Sequence, residues 1–323
     1  MAATRTGPGP RGLGSRGLDV RGVAQGVTAH VIWGLFPAFW PLLDPAAPIE
    51  VLAHRILWTL VLMAGVLTVV RGWGEVRALS GRGWLTVSAA AVLIATNWGV
   101  FIYGVAIDQV VEIALGYYTS PLFSVLLAVL VLRERPRPAQ WAALGIAAVA
   151  VVVISVGIGR LPWLGLALGL TFGLYGLMKK TVPIGSGASL TAEGIVLAPL
   201  AAGLVVYLEV VGSGTLSGYG PWHVVLLALA GPVTAVPLLL YGAAAHRIPL
   251  TTLGTLLYLT PTLQFLWGVL VVGEPMPTAR WVGFALVWLA LGIFTFDLVR
   301  QARAPAPVET DRTALTTPAP ETR

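Results

Sequence analysis

The chain has 323 residues, of which 57% are hydrophobic and 11% are charged, and its formal net charge is +6. Soluble domains usually have about a quarter of their residues charged, so this composition excludes an ordinary soluble protein. The chain has no cysteine, which excludes disulfides and thiolate chemistry.

The chain begins with a polar segment, residues 1–21, which is rich in Gly, Pro and Arg. This segment has no apolar core of the kind that a signal peptide contains, so we expect the first helix to be an uncleaved anchor. We interpret residues 1–21 as a disordered basic tail, and the polar residues 301–323 as a second disordered tail.

Ten charge-poor apolar runs follow one another between these tails. Each has about 18–24 residues, enough at about 1.5 Å per residue to cross a hydrocarbon core of about 30 Å. The runs do not alternate as the strands of a membrane barrel would. We therefore predict an all-α integral membrane protein with ten transmembrane helices, at residues 22–43, 49–70, 84–107, 110–132, 139–157, 161–178, 189–211, 222–245, 249–272 and 278–299.

Most of the Lys and Arg residues fall in the two tails and in every second loop. By the positive-inside rule, this placement predicts a multi-pass protein of the cytoplasmic membrane with both termini in the cytoplasm. The basic residues do not gather on one face, and no nucleic-acid-binding motif accompanies them. We therefore expect membrane lipids as partners and no nucleic acid, while the oligomeric state stays open.

One segment of the chain occurs twice. Residues 118–141 and 258–281 are identical at nine of 24 aligned positions, including Tyr118/Tyr258, Pro121/Pro261, Glu134/Glu274 and Trp141/Trp281. Ten helices divided between two copies give five each, and an odd number makes the second copy enter the membrane from the opposite side. We therefore predict two inverted repeats, residues 22–160 and 161–300, an arrangement typical of secondary transporters with a site near the bilayer midplane.

Prolines indicate where these helices are interrupted. Pro121 and Pro261 each fall near the middle of their apolar run, where the missing N–H leaves a backbone carbonyl without its helical partner. We predict a helix break or hinge at both positions, with a bend that only serves packing as the alternative. Further interruptions are predicted at Pro37, Pro41, Pro199, Pro232 and Pro237.

Polar residues inside the runs mark the candidate site, because each is unfavourable in lipid unless it is paired or hydrated. The candidates for solute binding in a central cavity are Trp33, His54, Arg55, Asn97, Tyr175, Tyr258 and Gln264. A carboxyl group in a low-dielectric cavity can take up and release protons near neutral pH. On that basis the candidates for proton coupling are Glu50, Glu112 and Glu193.

Each candidate also has a structural interpretation. Glu112 is a candidate ion partner for Arg55, and both could instead lie at the headgroups or form a structural pair. Asn97 and Gln264 could serve only to join helices, and a lone histidine such as His30 could be a hydrogen-bonded interior residue. Glu134 and Glu274, at helix ends, favour a capping or hinge role, and we expect a close-packing ridge at Gly165, Gly169 and Gly173.

Other chemistries find little support. The chain has no GxxxxGK[ST] loop, no HExxH and no GxSxG motif, and its four histidines are scattered. We therefore expect no catalytic residue, no metal and no cofactor. The rival hypotheses are a membrane-embedded lipid-modifying enzyme, a non-transporting scaffold, or a carrier whose cargo is a lipid.

Nine motifs follow one another between residues 22 and 299: IWGLFPAFW (32–40), EVLAHR (50–55), NW (97–98), VEIALGYYTSPL (111–122), ERPRPAQW (134–141), FGLYGLMKK (172–180), AGPVTAVPLLL (230–240), TTLGTLLYLTPTL (251–263) and GEP (273–275). In this order they resemble the RarD branch of the EamA family in the drug/metabolite transporter superfamily. This resemblance implies an inner-membrane permease of two repeats, with its polar site at Glu50, His54, Arg55, Asn97, Glu112 and Glu193. The chain departs from similar proteins at Pro41, His30 and Leu257. We expect a secondary active transporter for a small organic metabolite or drug, moving it outward.

Overall fold

The computed structural model describes residues 19–302 apart from 134–135, 180, 246, 249–251 and 254–255. Both predicted tails, apart from Asp19, Val20, Arg21, Gln301 and Ala302, and the predicted role of Glu134 fall outside these residues. The described elements are α1 (Val20–Gly34), α2 (Phe36–Phe39) with a 3₁₀ turn (Trp40–Leu43), α3 (Pro48–Val69), α4 (Trp73–Arg77), α5 (Gly81–Ala106), α6 (Val110–Leu132), α7 (Pro138–Ile158), α8 (Trp163–Lys179), α9 (Ser186–Val210), α10 (Gly220–Ala245), α11 (Leu259–Trp267) with a π-helical turn (Gly268–Val272), and α12 (Thr278–Ala302).

Seven of these helices are long and apolar enough to cross a membrane, and an eighth span results if α1 and the bent segment after it are counted together. Two shorter apolar helices, Trp163–Lys179 and Leu259–Val272, complete the set. The predicted all-α class is therefore confirmed for the described residues. Ten separate crossings do not follow from helix length alone, because the shorter two have 17 and 14 residues.

Local sequence signals fix where several helices begin. The carboxylate of Asp19 accepts hydrogen bonds from the Arg21 and Gly22 N–H groups, at 3.0 and 3.1 Å, and so caps α1. The Ser80 hydroxyl accepts from the Gly83 N–H and caps α5. Pro48 opens α3, where its missing N–H loses no helical hydrogen bond. The predicted boundaries of most runs consequently lie within a few residues of the observed ones.

The proline predictions meet different outcomes. The first run is broken near Pro37, with an angle of 47° between its two parts. The ninth predicted run, residues 249–272, is interrupted by a turn at Leu257 and Tyr258. Helix α11 begins after this turn, so Pro261 lies in its first turn instead of mid-helix. Pro121 lies inside α6, which continues through it as an α-helix. Helix α6 is thus unbroken at Pro121, and the interruption of the other run lies before Pro261. The hinge role of the two prolines stays a prediction.

Helices α6 and α8 approach each other closely along their backbones. A Cβ atom on Gly116 would lie 2.7 Å from the carbonyl oxygen of Gly165, and one on Gly165 would lie 2.8 Å from the carbonyl oxygen of Glu112. Gly169 and Gly173 face the side chain of Phe123 in the same seam. The predicted close-packing ridge is confirmed, and it holds α8 directly against α6.

Polar contacts define two ends of the bundle. At the far end, Arg160 reaches the side chains of Gln109 and Glu112, and Glu274 reaches the start of α6. At the tail end, where the described chain begins and ends, ion pairs join Arg247 to Asp19 and Arg137 to Asp297, at 3.4 and 3.0 Å. The candidate site lies between these ends.

Candidate functional site

Arg55 lies in the second turn of α3 and is buried, with 3% of its surface exposed. Three aromatic rings surround its guanidinium group. The Cζ atom lies 4.1 Å from the ring centroid of Trp98, 5.0 Å from that of Trp40 and 5.4 Å from that of Phe36. We call these four residues the arginine cage, since the rings enclose the cation with their electron-rich faces.

The cage leaves the cation without a counter-ion among the described residues. Arg55 takes part in none of their ion pairs, and its Nε and Nη1 atoms are buried without a hydrogen-bond acceptor. The predicted pairing with Glu112 is wrong, because that carboxylate binds Arg160 at 2.8 Å. Arginine stays protonated in proteins, so the cage holds an uncompensated positive charge.

Asn97 lies on α5 next to Trp98 and joins three helices. Its Nδ2 atom donates to the Leu168 carbonyl and the Thr171 hydroxyl of α8, at 3.1 and 3.0 Å. Its Oδ1 atom accepts from the Tyr117 hydroxyl of α6 at a longer distance of 3.4 Å. The amide is thus largely occupied by protein, and the structural interpretation of Asn97 accounts for these contacts.

Rings form a continuous path from the arginine cage toward the tail end. Centroids about 6 Å apart connect Phe36 to Phe101, Phe101 to Tyr117, Tyr117 to Phe172, and Phe172 to Tyr175. Edge and tilted contacts at this spacing are favourable for aromatic pairs. We call this set the aromatic path. It connects the predicted residues Arg55 and Tyr175, which the sequence placed on different helices without relating them.

The aromatic path ends at a cluster around Glu193, which is 1% exposed. Lys179 donates to the Glu193 carboxylate at 2.7 Å, the Ser189 hydroxyl donates at 2.7 Å, and the Tyr175 hydroxyl donates at 3.1 Å. The ammonium group also lies 5.4 Å from the ring centroid of Tyr175. This carboxylate is fully satisfied and joins the end of α8 to α9.

Glu112 is the corresponding carboxylate at the opposite end of α8. Besides its ion pair with Arg160, it accepts a hydrogen bond at 2.9 Å from the Leu164 N–H in the first turn of α8. A carboxylate at this position also interacts favourably with the helix dipole. Helix α8 is therefore held at each end by a buried acid, one from α6 and one from α9.

Glu50, in the first turn of α3, holds the loop between α9 and α10. One of its oxygens accepts from the Thr215 N–H at 2.7 Å and from the Thr215 hydroxyl at 3.0 Å. The same hydroxyl lies 2.8 Å from Nε2 of His223. The other Glu50 oxygen and both ring nitrogens of His54 are buried without a partner among the described residues.

Two further predicted site residues, Trp33 and Gln264, meet at the contact between α1 and α11. Gln264 donates to the Trp33 carbonyl at 3.2 Å, and His30 is hydrogen-bonded to the Thr260 hydroxyl at 3.0 Å. Tyr258 contacts the Thr295 hydroxyl of α12 at 3.0 Å. The cavity residues proposed from sequence therefore form no single cluster: Trp33 and Gln264 meet each other, while Tyr258 faces another helix.

Glu274 lies in the loop after α11 and accepts a hydrogen bond at 2.8 Å from the Val111 N–H in the first turn of α6. This contact is the capping that its position in a loop favoured. Burial raises the pKa of the Glu274 carboxyl above its ordinary value of 4.5, although the Val111 N–H and Arg280, whose Nη1 lies 3.5 Å away, act in the opposite direction.

Several contributors to these clusters did not emerge from the sequence. Trp40, Trp98, Phe36 and Tyr117 are four aromatic residues in an apolar chain, and no spacing relates them to Arg55. Lys179 and Arg160 lie at helix ends, where a basic residue suggests contact with headgroups. Among the described residues, no group of three or more His, Asp and Glu side chains could hold a metal ion.

One family model and several known proteins match this chain. A model of the EamA-like transporter family matches residues 20–156. The chain is 46% identical to a protein named RarD from Streptomyces exfoliatus, over 93% of this chain and 96% of that protein. It is 40% identical to the uncharacterized transporter YojE from Bacillus subtilis, over 88% and 96% of the two chains. It is 35% identical to the Escherichia coli protein named RarD, over 88% and 99%.

A solved crystal structure has a similar fold. It superimposes with a TM-score of 0.57 and covers 88% of this chain and 99% of its own. The two sequences are 16% identical, so the similarity concerns the arrangement of helices only.

Proposed function

This chain belongs to the EamA-like transporter family, on its RarD branch, and from that premise we propose that it is a secondary carrier. It moves a small organic solute across the cytoplasmic membrane by alternating access, in the outward direction. The observation that carries this proposal is the arginine cage: a buried cation whose Nε and Nη1 atoms have no hydrogen-bond acceptor, inside a multi-pass membrane protein of the EamA-like transporter family. Such a group in a membrane interior is a functional site by default.

The pairing of helices supports two inverted repeats. If each element of residues 22–160 is matched with the fifth apolar segment after it, α3 corresponds to α9, α6 to α11 and α7 to α12, and each of these pairs is in contact. Two further contacts exchange under the same matching, since α1 packs on α10 and α5 packs on α8. A two-fold axis in the membrane plane produces this pattern.

The two ends of α8 give the carrier its proposed moving parts. Glu112 holds the far end of this helix and Glu193 holds its tail end, and both acids belong to charge clusters that join it to neighbouring helices. Protonation of either carboxylate would remove an ion pair and free its end of α8. Proton uptake at Glu112 or Glu193 would thereby favour opening at one end, which is the coupling that an alternating-access carrier needs. Glu50, which holds the α9–α10 loop, is the third candidate.

Flux measurements test the carrier proposal. Purified protein is reconstituted in vesicles loaded with a defined panel of small organic metabolites, and release is followed by mass spectrometry with and without an imposed pH gradient. We expect wild-type vesicles to release at least one solute faster than vesicles without protein. If no solute of the panel is released above that background, the carrier proposal loses its support.

Proton coupling is tested in the same vesicles. Glu112→Gln and Glu193→Gln each keep an oxygen acceptor but cannot titrate. We expect one of them to retain exchange of solute across the membrane while losing the acceleration by the pH gradient. If both variants still release solute faster in the presence of the gradient, neither acid is the coupling residue.

Orientation is tested with introduced cysteines, since the chain has none of its own. Cytoplasmic termini place Arg82 on the inside and Tyr219 on the outside of the cell. Tyr219→Cys should therefore react with a membrane-impermeant maleimide in intact cells, and Arg82→Cys only after the membrane is opened. The reverse labelling pattern would invert the proposed topology.

A further inference from the structure

We infer that the solute of this carrier bears an anionic oxygen group, a carboxylate or a phosphate, which binds the guanidinium group of Arg55. This inference rests on the proposed function and names the chemical class of its solute. It concerns the arginine cage, in which Trp98, Trp40 and Phe36 surround that group.

The first reason is the unpaired charge. Transfer of a cation from water to the interior of a bundle is strongly unfavourable unless an anion and hydrogen-bond acceptors replace the water. The rings of the cage supply a cation–π attraction, but an aromatic ring offers no lone pair to an N–H group in the guanidinium plane. The Nε and Nη1 atoms of Arg55 therefore lack acceptors, and a bound oxyanion would supply both the charge and the lone pairs.

The second reason is the contrast with other cations of the described chain. Lys179 reaches Glu193 at 2.7 Å, Arg160 reaches Glu112 at 2.8 Å, and Arg280 lies 3.5 Å from Glu274. Arg55 is more deeply buried than any of these three, yet no carboxylate of the described residues forms an ion pair with it. A residue that served only to hold helices together would be expected to have a protein partner, as the other three have.

The third reason is the aromatic character of the side chains around Arg55. Three ring systems lie around the guanidinium and place apolar groups next to the charge. Such a site suits a small acid with a planar or apolar body, because the rings bury the body while the arginine binds its charged group. A cationic solute would be repelled by the same charge.

The inference is tested with four probes that share one benzene ring: benzoate, phenyl phosphate, benzamide and benzylamine. The full-length protein is purified in detergent, and its apparent melting temperature is followed by intrinsic fluorescence over a concentration series of each probe. We expect benzoate or phenyl phosphate to raise the melting temperature of the wild type, and the stronger of the two identifies the oxyanion class. Benzamide and benzylamine should give no shift.

Three variants assign the effect to the cage. In Arg55→Gln the shift by the anionic probe should be lost, corresponding to binding weakened by about 30-fold or more. Arg55→Lys keeps the charge and should retain a reduced shift, which also covers the case that the glutamine variant folds poorly. Arg82→Gln removes an exposed arginine at the tail end and should respond as the wild type does.

The inference is overturned if no anionic probe shifts the wild type, if benzamide or benzylamine shifts it equally, or if the anionic shift persists in Arg55→Gln. Its failure can be told apart from failure of the carrier proposal. Anion binding that depends on Arg55, in a protein without flux, supports the anion site and contradicts the carrier. Flux of a cationic solute that is unchanged in Arg55→Gln does the reverse.

Discussion

Arg55 and Glu193 are both ionisable, both lie within long apolar helices, and both are almost fully buried, at 3% and 1% exposure. Their surroundings differ completely. Glu193 accepts hydrogen bonds from Lys179, Ser189 and Tyr175, whereas Arg55 meets three rings and no acceptor for its Nε and Nη1 atoms. The comparison shows that burial alone does not identify a ligand site. A buried charge that has neither a counter-ion nor enough hydrogen-bond acceptors does identify one.

The comparison assigns different tasks to the two regions. A satisfied charge stabilises the contact between helices and resists their separation until it is neutralised. An unsatisfied charge destabilises the empty protein and stabilises the occupied one. If this distinction is correct, substitutions in the two regions should affect stability in opposite directions.

The largest effect is expected at Glu193. Glu193→Ala leaves the Lys179 ammonium and the Tyr175 hydroxyl buried without their acceptor, and breaking a buried pair in this way typically costs about 3–5 kcal/mol. Unfolding in mixed micelles with an increasing fraction of denaturing detergent measures the loss in the free energy of unfolding. Glu193→Gln, which keeps an oxygen acceptor, should lose less, and an alanine variant within about 1 kcal/mol of the wild type would contradict the role of this cluster.

The next effect concerns the seam on which both regions depend. A Cβ atom at Gly165 would lie 2.8 Å from the Glu112 carbonyl oxygen, so Gly165→Ala must separate α6 and α8 and should cost about 1–3 kcal/mol. The matched control is Gly176→Ala on the same helix, where an added Cβ meets nothing within 4 Å. The same unfolding assay should show the control unchanged or slightly stabilised, and equal losses in both variants would remove the argument for close packing.

A smaller effect is expected at Asn97, which lies between the two regions. Asn97→Ala removes hydrogen bonds to the Leu168 carbonyl and the Thr171 hydroxyl, and such bonds between membrane helices are worth about 0.6–1.7 kcal/mol. The anionic probe should still bind this variant, because Asn97 is occupied by protein. If the variant loses probe binding without losing stability, Asn97 belongs to the solute site. The contrast between the Arg55 and Glu193 regions would then be weakened.

The smallest effect is the pH dependence at Glu274. Burial raises the pKa of this carboxyl in the folded protein above 4.5, so its contribution to stability is fully present below pH 4.5 and is lost as the pH rises through the raised pKa. Glu274→Gln should therefore match the wild type near pH 4 and become slightly more stable than it near pH 7. Melting curves at the two pH values measure this difference. If Glu274→Gln is more stable than the wild type only at the lower pH, the predicted direction of the pH dependence is wrong.

Much of the fold could be predicted from sequence because a bilayer-spanning run is a local property. The charge-poor apolar runs indicated most helix positions within a few residues. The bend near Pro37 was also predicted. The interruption before Pro261 was displaced toward the start of its helix, since a proline is tolerated in a first turn, and Pro121 was accommodated within a continuous helix.

The site could be predicted only in part, because its contacts join residues that are far apart in the chain. Arg55, Glu112 and Glu193 were selected correctly as buried charges, since their cost in an apolar run can be read from sequence. Their partners could not be selected: Arg160 is 48 residues from Glu112, and nothing in the spacing of Trp40 or Trp98 relates either ring to Arg55. Which charges are satisfied is decided by packing between helices.

The most direct test of the account compares two apparent melting temperatures of the ligand-free protein under one set of conditions. Arg55→Met keeps an unbranched side chain for the rings of the cage to pack against and removes the unpaired charge, so it should melt at or above the wild-type temperature. Glu193→Ala should melt well below it. If Arg55→Met melts as far below the wild type as Glu193→Ala does, then Arg55 is a structural residue whose charge is compensated in the folded protein. The central distinction between the two regions would then be wrong.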